Sequence, residues 1–250
     1  MNVKGAVAAG HPLTVDAAID VLKAGGNAFD AAIAAHFMAC VTEPVLASLG
    51  GGGFMLAQTA DGPGRLYDFF VQTPGQKRNI DEIDFRPILA DFGTTSQEFH
   101  VGMGACATPG TVKGLFDIHR DLATIPISEL VQPAIEVAKD GLAINEFQGY
   151  IFDIVSPILL ATPESTAIYG AESKVHVKVP GDRFYCAPLA DSLEALAKEG
   201  SDLFYFGDIA KEIISHNRTG GGQLTEQDLS NYRVITPKPL ETGFRVYKLY

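Results

Sequence analysis

The chain has 250 residues, 46% hydrophobic and 20% charged, a balance that fits a folded globular chain and excludes a disordered or fibrous one. Its 30 acidic residues against 19 basic ones leave a net charge of −11, which opposes a polyphosphate backbone and so excludes nucleic acid as a partner. No apolar run approaches the ~20 residues of a membrane span. Cys40, Cys106 and Cys186 are far apart and without metal-ligand spacing, so they read as free, mostly buried thiols in a reducing compartment, with no disulfide, metal or cofactor expected. The opening MNVKGAVAAGHPL is interrupted by His11 and Pro12 and does not read as a signal peptide, which makes the cytoplasm the expected location.

In chain order, TVDAAIDVLKAGG sets Val15, Ala18, Ile19 and Leu22 at helical spacing and stops at Gly25-Gly26. Asn27 is the expected cap of a second helix, AFDAAIAAHFMACVTEP, which ends before Pro44. Alanine on nearly every face predicts close neighbours all round, so this helix is expected to be central and His36 to be a core histidine. SLGGGGFMLAQ follows, with four consecutive glycines directly ahead of a strand. Such a run implies close backbone approach, positive φ or exposed N–H groups. Two readings stand: packing of a helix end against a strand, or packing together with the lining of a pocket.

GFMLAQTADGPGRLYDFF reads as a hairpin turning on Asp61-Gly62-Pro63-Gly64. The next stretch, VQTPGQ through to EFH, reads as a long irregular surface excursion, with Lys77, Arg78, Asp81, Glu82 and Asp84 as a solvated charged face. VGMGACATPGTVKGLFDIHRDL is expected to begin as a short strand, turn at Thr108-Pro109-Gly110 and continue as a helix burying Val112, Leu115, Phe116 and Ile118. PISELVQPAIEVAKDG is a further helix with Leu130, Ala134, Ile135, Val137 and Ala138 inward, Ser128 as its cap and Gly141 as its stop. Later helices are LADSLEALAKEG, capped by Asp191 or Ser192, then GDIAKEIISHN, and LTEQDLSNY with a Thr225/Asp228 capping box. ETGFRVYKLY closes the chain as one alternating strand without a polar tail, which predicts a fragment of a longer chain whose strand edge and apolar helix faces need a second segment. Strands mixed with layered helices predict an α/β or α+β fold.

No spacing in the chain announces catalysis. A phosphate loop needs a strand before the glycines and a helix after, with a lysine close by; here the order is reversed and no lysine lies between Lys23 and Lys77. The histidines form no metal array, and a G-x-S-x-G elbow is absent. Asn217-Arg218-Thr219 matches a glycosylation sequon, which reads as chance without a secretion signal.

The combination VAAGHPLTVDAAIDVLKAGGNAFDAAIAAHFMACVTEPVLASLGGGGFMLA resembles the opening of the γ-glutamyltransferase (γ-glutamyltranspeptidase) family. ATPGTVKGL, LVQPAIEVAKDG, LFYFGDIAKEI, GGQLTEQDLSNYRV and FRVYKLY extend the likeness over essentially the whole chain. The resemblance implies an α+β N-terminal-nucleophile hydrolase, a four-layer αββα sandwich, with residues 1–250 as the N-terminal, large-subunit portion of one such domain. It implies a precursor that cuts itself ahead of a threonine, whose own amine then serves as base. The partner would be the small-subunit segment of the same precursor, paired as a heterodimer. The nucleophile is expected beyond this chain, so no catalytic residue is expected within it. The activity implied is γ-glutamyl transfer from a glutathione-like donor to water or an amino acid; the alternative is an inactive homologue acting as a binding or scaffold protein.

In the family an Asp-x-Arg-Glu-x-Ala-Pro stretch follows this hairpin, and its arginine grips the donor's α-carboxylate. Here the matching stretch is DFFVQTP, which puts Phe70 at the arginine's place and Val71 at the glutamate's. Phe70, Gln72, Ser48 and Gly51 are the expected substrate-binding residues. Either the phenyl ring alters the acyl group taken, or Phe70 packs in the core and another cation, Arg78 or one beyond Tyr250, has assumed the role.

Overall fold

A computed structural model of the chain describes residues 5–60 and 62–250. Helix α1 (Pro12–Lys23) opens on His11, whose Nδ1 accepts from the Leu13 N–H at 3.1 Å. Pro12 occupies the first helical position, where its missing N–H is one the helix leaves unpaired in any case, so the helix starts ahead of the expected Thr14. Helix α2 (Ala28–Thr42) is capped reciprocally: Asn27 Oδ1 accepts from the Phe29 and Asp30 N–H groups, and Asp30 accepts from the Asn27 N–H. Ile33, Phe37, Cys40 and Val41 of α2 are buried, and the helix packs on α1 and on two later helices, as its alanine content predicted.

Strand β1 (Gly53–Ala57) pairs antiparallel with β2 (Arg65–Phe69), Gly53 standing opposite Phe69. Of the expected turn, Gly62 to Gly64 join the strands, while Asp61 lies outside the described residues, as do the first four residues of the opening segment. The stretch read as irregular holds a hairpin instead, β3 (Arg86–Asp91) against β4 (Ser96–Val101). Pro87 and the polar, exposed faces hid its alternation, and a two-stranded ladder tolerates a proline that a central strand would not. The short strand expected at Val101 is therefore the end of β4, and Met103–Ala105 is a 3-10 turn.

The helical half follows as α3 (Thr111–Leu122) and α4 (Ile127–Asp140), then β5 (Leu142–Ala143), α5 (Glu146–Ile154), α6 (Ser156–Leu159) and α7 (Pro163–Tyr169). It continues with β6 (Arg183–Phe184), α8 (Ala187–Glu199), α9 (Asp202–Tyr205), α10 (Asp208–Thr219) and α11 (Glu226–Asn231), and ends in β7 (Thr242–Phe244) and β8 (Tyr247–Leu249). Two expected caps are corrected. Ser128 sits inside α4, which begins after Pro126, and Asp191 and Ser192 sit inside α8, which begins after Cys186 because Pro188 favours a first turn. Ser192 donates to the Pro188 carbonyl one turn back instead. The Thr225/Asp228 capping box is present as expected. The closing strand is also corrected: Arg245, at φ 57°, turns the chain so that Phe244 faces Tyr247 in a small exposed hairpin.

Among the described residues the strands form four two-stranded antiparallel ladders, and the helices pack in series, α1 on α2, α2 on α4, and α4 on α8. The architecture is α+β. Cys40 lies in the core, where burial pushes its thiol up to about 12; Cys186 is half-buried and Cys106 is exposed, so the thiols are not uniformly buried. Asn217 of the sequon is buried, donating to the Met103 carbonyl and accepting from the Leu224 N–H. No helix among the described residues is long and apolar enough to cross a membrane.

Asp30 fixes α2 to the loop between α3 and α4. Its fully buried carboxylate accepts from the Thr124 N–H (2.8 Å), the Thr124 hydroxyl (2.7 Å) and the Ile125 N–H (3.0 Å), as well as from Asn27. Burial by itself would raise this carboxyl's pKa, but the hydrogen bonds outweigh it and hold it below the ordinary 3.8. A carboxylate depressed in the folded state stabilises the fold above its unfolded pKa and loses that contribution as the pH falls through the folded one. Asp30→Asn is expected to cost about 2–3 kcal/mol at neutral pH and to flatten the loss of stability below about pH 4, as read by thermal unfolding of the complete protein across pH. A second test falls on α3. A Cβ at Gly114 would run into the buried Phe69 ring, so Gly114→Ala is expected to lower stability by about 1–3 kcal/mol in the same unfolding measurement.

Candidate functional site at the glycine junction

The four glycines lie where three backbone segments meet. None of Gly50 to Gly53 has a positive φ, so the run is not there to turn the chain. Close approach explains it. A Cβ on Gly52 would stand 2.6 Å from the Phe69 carbonyl oxygen and 2.7 Å from the Val71 nitrogen, and one on Gly53 would stand 3.1 Å from the Phe69 ring. Gly110 and Gly114 press on Phe69 from the other side, leaving no room for a side chain at either position. Phe69 is thus a buried residue hemmed in by three glycines from two segments, Gly53 and Gly114 against its ring and Gly110 against its carbonyl, with His36 edge-on to the ring at 6.3 Å.

Hydrogen bonds lock the same junction. The Gly51 carbonyl accepts from the Gly110 N–H at 2.8 Å and the Thr111 N–H at 3.0 Å, while its own N–H reaches the Ser48 carbonyl at 3.1 Å. Gln72 exchanges both backbone bonds with Thr108, at 3.1 and 2.8 Å. Tyr232 donates to the Phe70 carbonyl at 2.9 Å and stacks on Tyr205, whose hydroxyl donates to the Pro109 carbonyl at 2.9 Å. Burial raises the pKa of both phenols, and the Asp68 charge adds to this at Tyr232, so each stays a neutral donor.

Of the four expected binding residues, two line a cavity at this junction and two belong to the segment that packs on Gly52. Ser48 and Gly51 line a cavity of about 220 Å³ together with Gly52, His36 and Thr111. The Phe70 backbone lies against Gly52, and Gln72 leaves the junction at an exposed position. Phe70 does not pack in the core: its ring is 53% exposed and stacks on Phe54 at 5.4 Å between centroids, the planes 14° apart. Arg78 is already engaged, its guanidinium donating to the Arg218 carbonyl in the last turn of α10 and the Gly222 carbonyl just after it, and pairing with Glu82 at 3.4 Å. No Lys or Arg among the described residues lines the cavity. His36 proves to be half-buried and to face two spaces, this cavity and an alanine-lined groove of about 410 Å³ along α1 and α2. Burial lowers its pKa, which keeps the imidazole neutral at neutral pH. Thr111, Tyr205 and Tyr232 carried no local signal, although the Gly-Thr-Val-Lys-Gly spacing at the head of α3 marks a helix face under close contact.

The sequence profile of the family described as Gamma-glutamyltranspeptidase matches residues 14–250. The chain belongs to the gamma-glutamyltranspeptidase family. It is 34% identical over 249 residues to a glutathione hydrolase proenzyme of Escherichia coli, a match covering 99% of this chain and 42% of the relative. It is 30% identical to the acylase ACY 1 proenzyme of Pseudomonas sp. strain SE83, over 98% of this chain and 44% of that relative. It therefore spans less than half the length of these curated relatives. The crystal structure of Helicobacter pylori gamma-glutamyltranspeptidase superposes with a TM-score of 0.86 at 29% identity, over 100% of this chain and 70% of that one. The fold is that of the N-terminal-nucleophile hydrolases, as the resemblance implied.

Within this member of the gamma-glutamyltranspeptidase family, the Tyr232 hydroxyl holds the Phe70 carbonyl. Tyr232→Phe keeps the stack on Tyr205 and removes that bond. It is expected to cost about 1 kcal/mol in thermal unfolding of the complete protein, with faster amide exchange at Phe70 to Gln72. Unchanged exchange there would show that Tyr232 does not hold the rim.

Proposed function

We propose that this chain is the large-subunit portion of a gamma-glutamyltranspeptidase-type acyltransferase or amide hydrolase, with the Ser48–Gly52 and Phe70–Gln72 rim as its contribution to the acyl-donor site. In this reading the domain continues beyond residue 250. A precursor cuts itself ahead of a threonine outside this chain, and the two products remain paired. The threonine hydroxyl attacks the donor's acyl carbon, its α-amine takes the proton, the amine leaving group departs, and water or an amino acid accepts the acyl group. No residue of this chain bonds to the reacting atoms. Its part is to shape and orient the acyl group.

The observation that carries the reading is the placement of Phe70. In the family position that offers an arginine fork to a free carboxylate stands a half-exposed ring, stacked on Phe54 and with the nearby cation Arg78 engaged elsewhere. A fork supplies two charge-assisted bonds, each worth roughly 1.5–3 kcal/mol. A stacked phenyl pair offers apolar area and an aromatic face instead. The donor favoured is therefore an amide with an apolar or aromatic acyl group, in place of one that carries a free α-carboxylate. Relatives named for glutathione hydrolysis and for acylase activity both fit an acyl-transfer chemistry with a variable acyl pocket.

The test is turnover by the complete, processed protein of a γ-glutamyl anilide against an aryl-acetyl anilide. The aryl-acyl compound is expected to be the better substrate, and Phe70→Arg is expected to shift the ratio toward the γ-glutamyl compound by about tenfold to a hundredfold. Efficient γ-glutamyl turnover with strong discrimination for the free carboxylate in the unaltered protein would overturn the altered donor. Turnover of neither anilide selects the inactive, scaffold-type homologue.

A further inference from the structure

The cavity beside the glycine junction sets two polar side chains from outside the donor rim, His36 and Thr111, beside Ser48 of the rim. His36 enters it from α2, Ser48 from the segment after α2, and Thr111 from the first position of α3. Thr111 is only 1% exposed, yet neither its hydroxyl, the Ser48 hydroxyl nor the His36 ring has a hydrogen-bond partner among the described residues. Every side-chain N or O atom sealed from solvent in the described core does have one, so Thr111 and His36 are not stranded polar groups. Their free capacity opens onto the cavity. The backbone around them is already satisfied: the Gly51 carbonyl takes two N–H groups, and its N–H is bonded to Ser48.

The three groups come from separate segments and are fixed by the packing around Phe69, so the junction that requires the glycines also sets their spacing. The other lining residues, Pro44, Val45, Leu46, Ala47, Gly51 and Gly52, carry no charge, and no Lys, Arg, Asp or Glu among the described residues lines the cavity. A charge brought there would lose hydration and find no counter-charge among the lining side chains. Two hydroxyls and an uncharged imidazole each donate and accept. A primary carboxamide is the small group that requires both, an acceptor oxygen and two N–H donors. The volume, about 220 Å³, suits a fragment of that size with a short alkyl stem.

We propose that His36, Ser48 and Thr111 form a subsite that binds an uncharged carboxamide group. The identity of its natural occupant, an amide-bearing part of the donor, rests on the acyl-transfer reading above; the binding itself does not. The experiment titrates the complete, processed protein, carrying isotope-labelled histidine, with propionamide, propionate and propylamine in turn. The His36 imidazole resonances, assigned by their loss in His36→Gln, are followed by NMR. Propionamide is expected to shift them saturably, with the two charged probes at least tenfold weaker. Thr111→Val is expected to weaken propionamide by about tenfold, the worth of one hydrogen bond. Where Thr111→Val fails to fold, Ser48→Ala makes the same measurement at an exposed position. Absence of a propionamide shift, equal affinity for all three probes, or full affinity in the folded variants would each overturn the subsite. Propionamide binding in a protein that turns over no anilide sustains the subsite and removes the enzyme reading; turnover without propionamide binding does the reverse.

Discussion

The structure depends on the seating of one ring. Phe69 ends β2 in a space whose walls are the backbones of Gly53, Gly110 and Gly114, and the Gly52 α-carbon rests directly on the Phe69–Val71 backbone. Protein interiors are packed as densely as organic crystals, so one methyl group at any of these glycines would have to displace main chain or a buried ring. The consequence is geometric: residues 48–53, 69–72 and 108–111 are held at a separation that no other residue type permits. Backbone hydrogen bonds from Gly51 to Gly110 and Thr111, and between Gln72 and Thr108, then fix their register.

Everything proposed for the site follows from that junction. The rim is built from main chain locked at both ends, and it is braced from behind by two stacked tyrosines. Tyr205 and Tyr232 spend their hydroxyls on the carbonyls of Pro109 and Phe70, so two of the three segments of the junction are tied to the helical half of the molecule. Asp30 does the equivalent for α2, anchoring its first turn to the Thr124 and Ile125 backbone and thereby setting where His36 emerges two turns later. A surface made this way is rigid, and the specificity proposed for it would lie in the few side chains that project from it, the exposed Phe70 among them.

Phe70, whose side chain is proposed to select the donor, is local in its effect for the same reason. Its carbonyl and N–H are held by Tyr232 and by Asp68 Oδ1, so the backbone course does not depend on the side chain. The fold can therefore be kept whatever this position is proposed to recognise. That separation of scaffold from recognition fits a family whose relatives include both a glutathione hydrolase and an acylase.

The sequence by itself determined the family, the helical segments with clear apolar period, the Asn27 and Thr225 caps, and the presence of a close-packed glycine junction. These are local signals or signatures that survive in one dimension. It did not reveal the β3–β4 hairpin, whose strands are largely solvated and interrupted by Pro87, nor α5 to α7, although Asn145 and Gln148 form a legible capping box at the start of α5. It placed the α4 and α8 caps too late, because prolines in or before the first turn, rather than a Ser or Asp side chain, set those starts. Only the tertiary structure decided which of three needs the glycines serve, that Phe70 is exposed and Arg78 engaged, and that His36, Ser48 and Thr111 converge. These residues lie as far as 75 positions apart from His36 to Thr111, and nothing short of the packed chain brings them to one cavity.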